Sequence, residues 1–412
     1  MKIVHISHLY YPSSGGVQFF FKNVSERLVK DYGDEVTVVT TNSYYGPERQ
    51  QFKKIETREE VINGVKVVRF QYRRWHIGLY SFLFKLFAKL GVRKPEWMGL
   101  QASGPYSPEM KKYLMNVEAD AFCGSSTNYW FMQLPLWRKC NFFYYGSIHL
   151  DEEESKSALY KVQVDSMNAS TLYLANTSFE IERLVKLGVR REKIMVLGAG
   201  VDMEPFLNVD SESVQQYRKE LGIPGDGLLI GYIGRIEFTK NVLLVIKAFE
   251  KISTKFQNTY LLIAGSGNGY VSVIKEYCSR LPQTVQSRIK WRVSFAVEEK
   301  PLIFHSLDIL VLPSHNESFG LVFLEAWSCK KPVIGVDIGS VRHVITDGKD
   351  GLLMNIDDEE SLSEKLGELI KDDALRTTMG KNGFEKVKEK YTWSKIVARL
   401  RRFYEEGALK ND

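Results

Sequence analysis

Residues 308–325 read DILVLPSHNESFGLVFLE. The run from Asp308 to Leu312 is apolar after its first residue and stops at Pro313, which reads as a short buried strand ended by a residue that cannot extend a ladder. A polar loop follows, Ser314-His315-Asn316-Glu317-Ser318, and then an apolar stretch with helical spacing that carries Glu325 about two turns in. Ser318 is the expected N-cap, so the backbone N–H groups of Phe319 and Gly320 form the start of a helix, where anions are favoured. A strand that turns directly into a helix start is the unit from which parallel α/β sheets are built.

Outward from this stretch the same alternation repeats. The expected strands are Lys2–Ser7, Glu35–Thr40, Val65–Phe70, Ala119–Gly124, Phe142–Ile148, Leu172–Asn176 and Ile194–Leu197, then Leu228–Ile233, Tyr260–Ala264, Arg288–Val293, Asp308–Leu312, Pro332–Gly335 and Gly351–Met354. A hinge-like stretch near Val201–Asp210 separates the two series. The reading is α/β: two tandem Rossmann-like domains, residues 1–205 and 206–385, with parallel sheets facing a central cleft at their strand ends. Residues 386–412 are expected as a C-terminal helix packing back toward the first domain.

Composition narrows the function. In 412 residues, 44% hydrophobic and 26% charged, the chain can bury sizeable cores and is neither disordered nor fibrous. A net charge of +6 is mild for this length, so nucleic acid is not an expected partner. The four cysteines, Cys123, Cys140, Cys278 and Cys329, are too few and too scattered for a disulfide framework or a zinc knuckle, and a reducing, cytoplasmic location is expected. No window reaches the roughly 18 uninterrupted apolar residues of a spanning helix.

Three further pieces lie at expected strand ends. Gly234-Arg235 follows one strand and Lys240-Asn241 opens the next helix, an arrangement suited to phosphate oxygens. Gly265-Ser266-Gly267 follows another strand, and Gly15-Gly16 follows the first. The glycines near 265 superficially suggest a dinucleotide fingerprint, but the strand Arg288–Val293 lacks the acidic residue that would bind a ribose there. Two aspartates separated by one residue, as a metal-dependent sugar transferase would use, occur nowhere in the chain, and no metal or other cofactor is expected.

Taken together, these residues resemble the retaining, nucleotide-sugar-dependent glycosyltransferases of the GT-B fold, the glycogen-synthase-like and mannosyltransferase-like group called family 4. The resemblance covers nearly the whole chain through Pro12–Val17, Tyr145–Asp151, Ala175–Val201 with Asp202, Gly234–Asn241, Gly265–Gly267 and Glu317–Glu325. The last segment, two glutamates with seven residues between them and Ser-Phe-Gly after the first, is the most specific. The resemblance implies that Glu317 faces the donor sugar and Glu325 accepts from the nucleotide ribose. It implies that Arg235 and Lys240 bind the diphosphate, that Gly16, Gly265, Gly267, Ser318, Phe319 and Gly320 line the donor, and that His149 contacts the transferred sugar. The reaction implied is transfer from a UDP-sugar or GDP-mannose to a glycan or lipid-linked acceptor. Ser340, His343 and Cys329 stand where relatives often carry Gly, Glu and Gly. Two other readings remain: a nucleotide-sugar epimerase of the same fold, and a non-catalytic membrane-associated partner subunit.

Residues 66–94 carry eight Lys and Arg and no acid, interleaved with aromatic residues. Peripheral contact with an anionic membrane at the inner face is expected from this segment, against the alternative of a core helix with a solvated basic rim.

Overall fold

Every strand expected from the sequence is present in the computed structural model, which describes all residues except 14, 46–51, 73–77, 80–81, 84–85, 88, 91–105, 127–128, 147–160, 268 and 410–412. Contacts divide the chain into one unit of Met1–Ala199 with Trp393–Asp412, and another of Gly200–Thr392. The divisions thus fall at 199/200 and 392/393 rather than 205/206 and 385/386; the second lies later because the helix Asp373–Lys390 packs on the helices Leu321–Ser328 and Glu359–Lys371 and the strand Gly351–Met354, all of the second unit.

The first unit contains β1 (Lys2–Ile6), β2 (Glu35–Thr41), β3 (Ser43–Tyr45), β4 (Phe52–Lys54), β5 (Glu59–Ile62), β6 (Val65–Phe70), β7 (Ala121–Ser125), β8 (Phe142–Tyr145), β9 (Leu172–Ala175) and β10 (Ile194–Val196). Eight of these form a sheet in the order β10-β9-β8-β7-β1-β2-β6-β5, parallel except for β5 against β6. The β5–β6 hairpin turns on Asn63-Gly64, both with positive φ (49° and 84°), a two-residue turn whose twist matches the strands it joins. β3 and β4 make a separate antiparallel pair.

The helix Trp393–Ala408 completes this unit. Its buried Ile396, Val397, Leu400, Phe403 and Tyr404 recur at helical spacing and enter the same core as Phe21, Val24 and Leu28 of the helix Gly16–Tyr32. The Tyr404 hydroxyl lies 3.2 Å from Nε2 of the buried His5, whose Nδ1 lies 2.7 Å from Ser25 Oγ. Burial lowers the His5 pKa to about 3, so the ring is neutral and is satisfied by two hydroxyls. Asp34 accepts from the N-terminal ammonium at 2.8 Å and from Arg401 at 2.9 Å, which fixes the outer side of the helix.

The second unit contains β11 (Leu228–Ile233), β12 (Thr259–Gly265), β13 (Ile289–Val293), β14 (Ile309–Leu312), β15 (Val333–Val336) and β16 (Gly351–Met354), all parallel in the order β13-β12-β11-β14-β15-β16. Central strands such as β14, with every residue buried, have helices on both faces and read as unbroken apolar runs. Among the described residues, no helix is long and apolar enough to cross a membrane.

Candidate functional site

The chemistry of the second unit gathers at the carboxyl ends of β11 and β14, the central neighbours of its sheet. After β14, Pro313 ends the strand and the loop runs to Gly320, which takes φ +83° and serves as the N-cap of the helix Leu321–Ser328. A Cβ at Gly320 would stand 2.5 Å from the ring of Phe323, so close packing and backbone conformation both require glycine. Ser318 is therefore not the cap, and Glu325 lies little more than one turn into the helix rather than two. Phe319 is buried edge-on against Tyr391 at 5.4 Å and anchors the loop from below.

Lys240 and Glu317 meet directly. The ammonium lies 2.8 Å from Glu317 Oε2 and also donates to Ser314 Oγ at 3.2 Å and to the Asn316 carbonyl at 3.3 Å. Their side chains are 13% and 15% exposed. Ser340 donates to the backbone carbonyl of Glu317 and so helps to fix the first glutamate. Glu325 Oε1 is bonded by Lys300, while its other oxygen, Oε2, is buried with no partner. An unpartnered buried carboxylate oxygen is costly in isolation and suits a hydroxyl donor from a ligand.

Arg235 is more exposed and pairs with Glu237 at 2.9 Å. Its carbonyl accepts from the Tyr232 hydroxyl at 2.6 Å. Burial first, and the Glu237 and Glu317 carboxylates next, raise the Tyr232 pKa, so that phenol stays protonated as a donor. Each cation of the site, Arg235, Lys240 and Lys300, is thus already paired with a carboxylate and held in place.

The glycines have different reasons. A Cβ at Gly265, where φ is +148°, would fall 1.7 Å from the Gly234 carbonyl oxygen, and one at Gly267 would fall 2.1 Å from Val271 Cγ2. Both positions are dictated by the crossing of the chains that leave β11 and β12. Gly16 lies in the first unit at the start of the helix Gly16–Tyr32, with nothing within 4 Å of an added Cβ. His149 lies outside the described residues. Sequence reasoning missed Lys300, Ser314 and Tyr232; the Lys-Pro pair that opens the helix Lys300–Ser306 gives no sign that its first side chain reaches Glu325.

Known proteins resemble this chain over the second unit and, in some cases, over nearly its whole length. Residues 213–386 match the family of glycosyl transferases, group 1. Over 260 residues the chain is 28% identical to a D-inositol 3-phosphate glycosyltransferase of Corynebacterium jeikeium, covering 62% of this chain and 61% of that protein. The chain spans about three fifths of the length of such curated relatives. Over 411 residues it is 25% identical to an uncharacterized glycosyltransferase of Methanocaldococcus jannaschii, covering 96% of each. The crystal structure of Anabaena HepE in complex with UDP and glucose superposes with a TM-score of 0.72 at 16% identity, over 98% of this chain and all of that one. The fold is therefore GT-B, an α/β architecture of two Rossmann-like units. The group 1 match spans the strands and loops that carry Arg235, Lys240, Glu317 and Glu325.

Proposed function

We propose that this chain is a retaining glycosyltransferase that transfers a sugar from a nucleotide diphosphate sugar, with no metal, to a glycan or lipid-linked acceptor. The observation that carries the reading is the Lys240–Glu317 ion pair beside a glutamate, Glu325, whose second oxygen is buried and unpartnered.

In this reading Lys240 and Arg235 shift from their carboxylate partners toward the diphosphate as it gains charge on departure, and supply preorganised positive charge to the leaving group. Glu317, released in part from Lys240, accepts hydrogen bonds from hydroxyls of the transferred sugar. Glu325 Oε2 accepts from a ribose hydroxyl while Lys300 holds the carboxylate in orientation. The acceptor attacks on the face from which the diphosphate leaves, which retains configuration. His149 contacts the sugar, and the first unit holds the acceptor. The UDP-bound neighbour makes a UDP-sugar the first donor to test and GDP-mannose the second.

Of residues 66–94, expected to meet anionic lipid at the inner face of the membrane, Val67–Phe70 are buried in β6 and cannot do so; the contact is assigned to the residues that follow β6. Leu79, Phe82, Leu86 and Leu90 support this: they are exposed, and their spacing of three and four residues is that of an amphipathic pattern.

The deciding experiment is thermal unfolding with UDP, GDP, ADP and dTDP, each with and without a chelator, followed by transfer assays with the stabilising base. At a hundredfold excess over Kd a ligand stabilises by about 2.7 kcal/mol. A chelator-insensitive shift with one base, and product formation that needs an acceptor, are the expected results. No shift with any base, or conversion of the donor without an acceptor, overturns the reading. Cosedimentation with anionic but not neutral liposomes is expected; equal behaviour with both overturns the membrane assignment.

A further inference from the structure

We propose that Asp357 is a positioning residue that clasps together the two loops carrying Lys240 and Glu317. This rests on the transferase reading, which assigns those two side chains to the donor. Asp357 stands in the turn between β16 and the helix Glu359–Lys371. One of its oxygens, Oδ1, accepts from Asn241 Nδ2 at 2.8 Å and lies 2.5 Å from His315 Nε2. Asn241 is the neighbour of Lys240, and His315 is two residues from Glu317. The two loops are also stitched by the His315 N–H, which donates to the Thr239 carbonyl at 3.0 Å. Asp357 adds the side-chain tie on the outer side.

The backbone explains why the tie is more than an incidental surface contact. Asp357 and Asn241 both sit in the left-handed region, with φ of 54° and 52°. Glycine is the default residue at such positions, and Asp and Asn are the side-chain-bearing residues that tolerate them best. Here both left-handed positions carry a side chain, and the two side chains bond to each other. The turn that presents Asp357 is ordered locally: Asp358 caps the next helix through the Ser361 N–H at 2.9 Å and accepts from Asn355 at 3.0 Å. The carboxylate is therefore offered from a fixed turn although it is 62% exposed.

An ammonium that must exchange Glu317 for a departing diphosphate is effective only if its loop stays in place during the exchange. Asp357 supplies that constraint. The loss should appear in the chemical step more than in donor binding, since Lys240 can still reach a bound diphosphate from a looser loop.

The test uses Asp357→Gly and Asp357→Asn in the full chain. Glycine removes the carboxylate and fits φ +54° without strain, so Tm should be equal or higher. The expected result is a fall in kcat of about tenfold, equivalent to ~1.4 kcal/mol of transition-state stabilisation, with donor KM within about twofold of wild type. Asp357→Asn, whose amide oxygen can still accept from both partners, should recover most of the rate. Amide exchange at Thr239–Asn241 and His315–Glu317 should quicken in Asp357→Gly. A wild-type kcat in Asp357→Gly, or equal losses in both variants, overturns the proposal. If the unmodified protein transfers no sugar, the transferase reading has failed; the exchange arm then decides the clasp alone, and unchanged exchange overturns it.

Discussion

The core beneath the first sheet and the strand ends of the second hold ionisable groups by different means. In the first unit burial favours the neutral form of two of them: the His5 pKa falls to about 3 between two hydroxyls, and that of Glu180, at the start of the helix Ser178–Lys186, rises to about 8, whereas Asp34 is paired with Arg401. At the strand ends of the second unit ammonium and carboxylate groups are paired: Lys240 with Glu317, Lys300 with Glu325, and the buried Asp350 with Lys386 at 2.5 Å. Burial lowers the Lys386 pKa and the Asp350 carboxylate opposes that fall. The difference teaches where anion chemistry can occur. A neutral core offers a diphosphate nothing, whereas paired cations are already desolvated and oriented and need only change partners.

The sharpest way to break this contrast is to remove one member of the working pair. Lys240→Ala and Glu317→Ala should each reduce transfer by about a hundredfold or more, with circular dichroism unchanged, since removal of a single preorganised electrostatic group costs ~3–4 kcal/mol in the transition state. Near-normal turnover in both would mean that the pair is structural. Asp350→Ala should cost about 3 kcal/mol of stability or more, because Lys386 is left charged and buried without its partner. A denaturation midpoint near that of wild type would show that Lys386 finds water instead.

Two pH experiments probe the neutral side. Glu180 titrates higher in the folded state than in the unfolded chain, so its stabilising contribution is full below about pH 4.5 and is lost as pH rises toward about 8. Glu180→Gln should flatten the stability profile across that window; an unchanged slope would place the effect elsewhere. His5 has the opposite sign. Its folded pKa is depressed, so its contribution is present above pH 6.5 and is lost as pH falls toward about 3. The smallest signal expected is in its NMR titration, where the His5 ring should show no midpoint above pH 5 in the folded protein.

How much of this was legible beforehand depends on the range of the signal. β14 and its stop at Pro313 are local events, and the apolar run and the proline show them in sequence. The hairpin on Asn63-Gly64 was equally local; its turn signal was present, but β5 has two charged residues and only half-buried alternates, too little apolar pattern to mark a strand. The partners of Glu317 and Glu325 are a different matter. Lys300 reaches Glu325 from 25 residues away and Ser340 reaches the Glu317 carbonyl from 23, through contacts made only by packing. The expected cap at Ser318 failed for a related reason: a left-handed Gly320 packed against Phe323 starts the helix two residues later, and that choice is set by the ring beneath it.

The helix Trp393–Ala408 has a consequence for the order of events at the ribosome. The first unit is begun by residues made before the second, yet its core contains Ile396, Leu400 and Tyr404, which emerge only after the whole second unit has been synthesised. The opening 199 residues must wait with an apolar face exposed while the intervening 193 can already fold, so the usual N-to-C sequence of domain folding is inverted in part. Until the helix Trp393–Ala408 is out, the second unit stands behind an unfinished first one, and a chaperone that recognises exposed apolar surface would find its target in the unit made first.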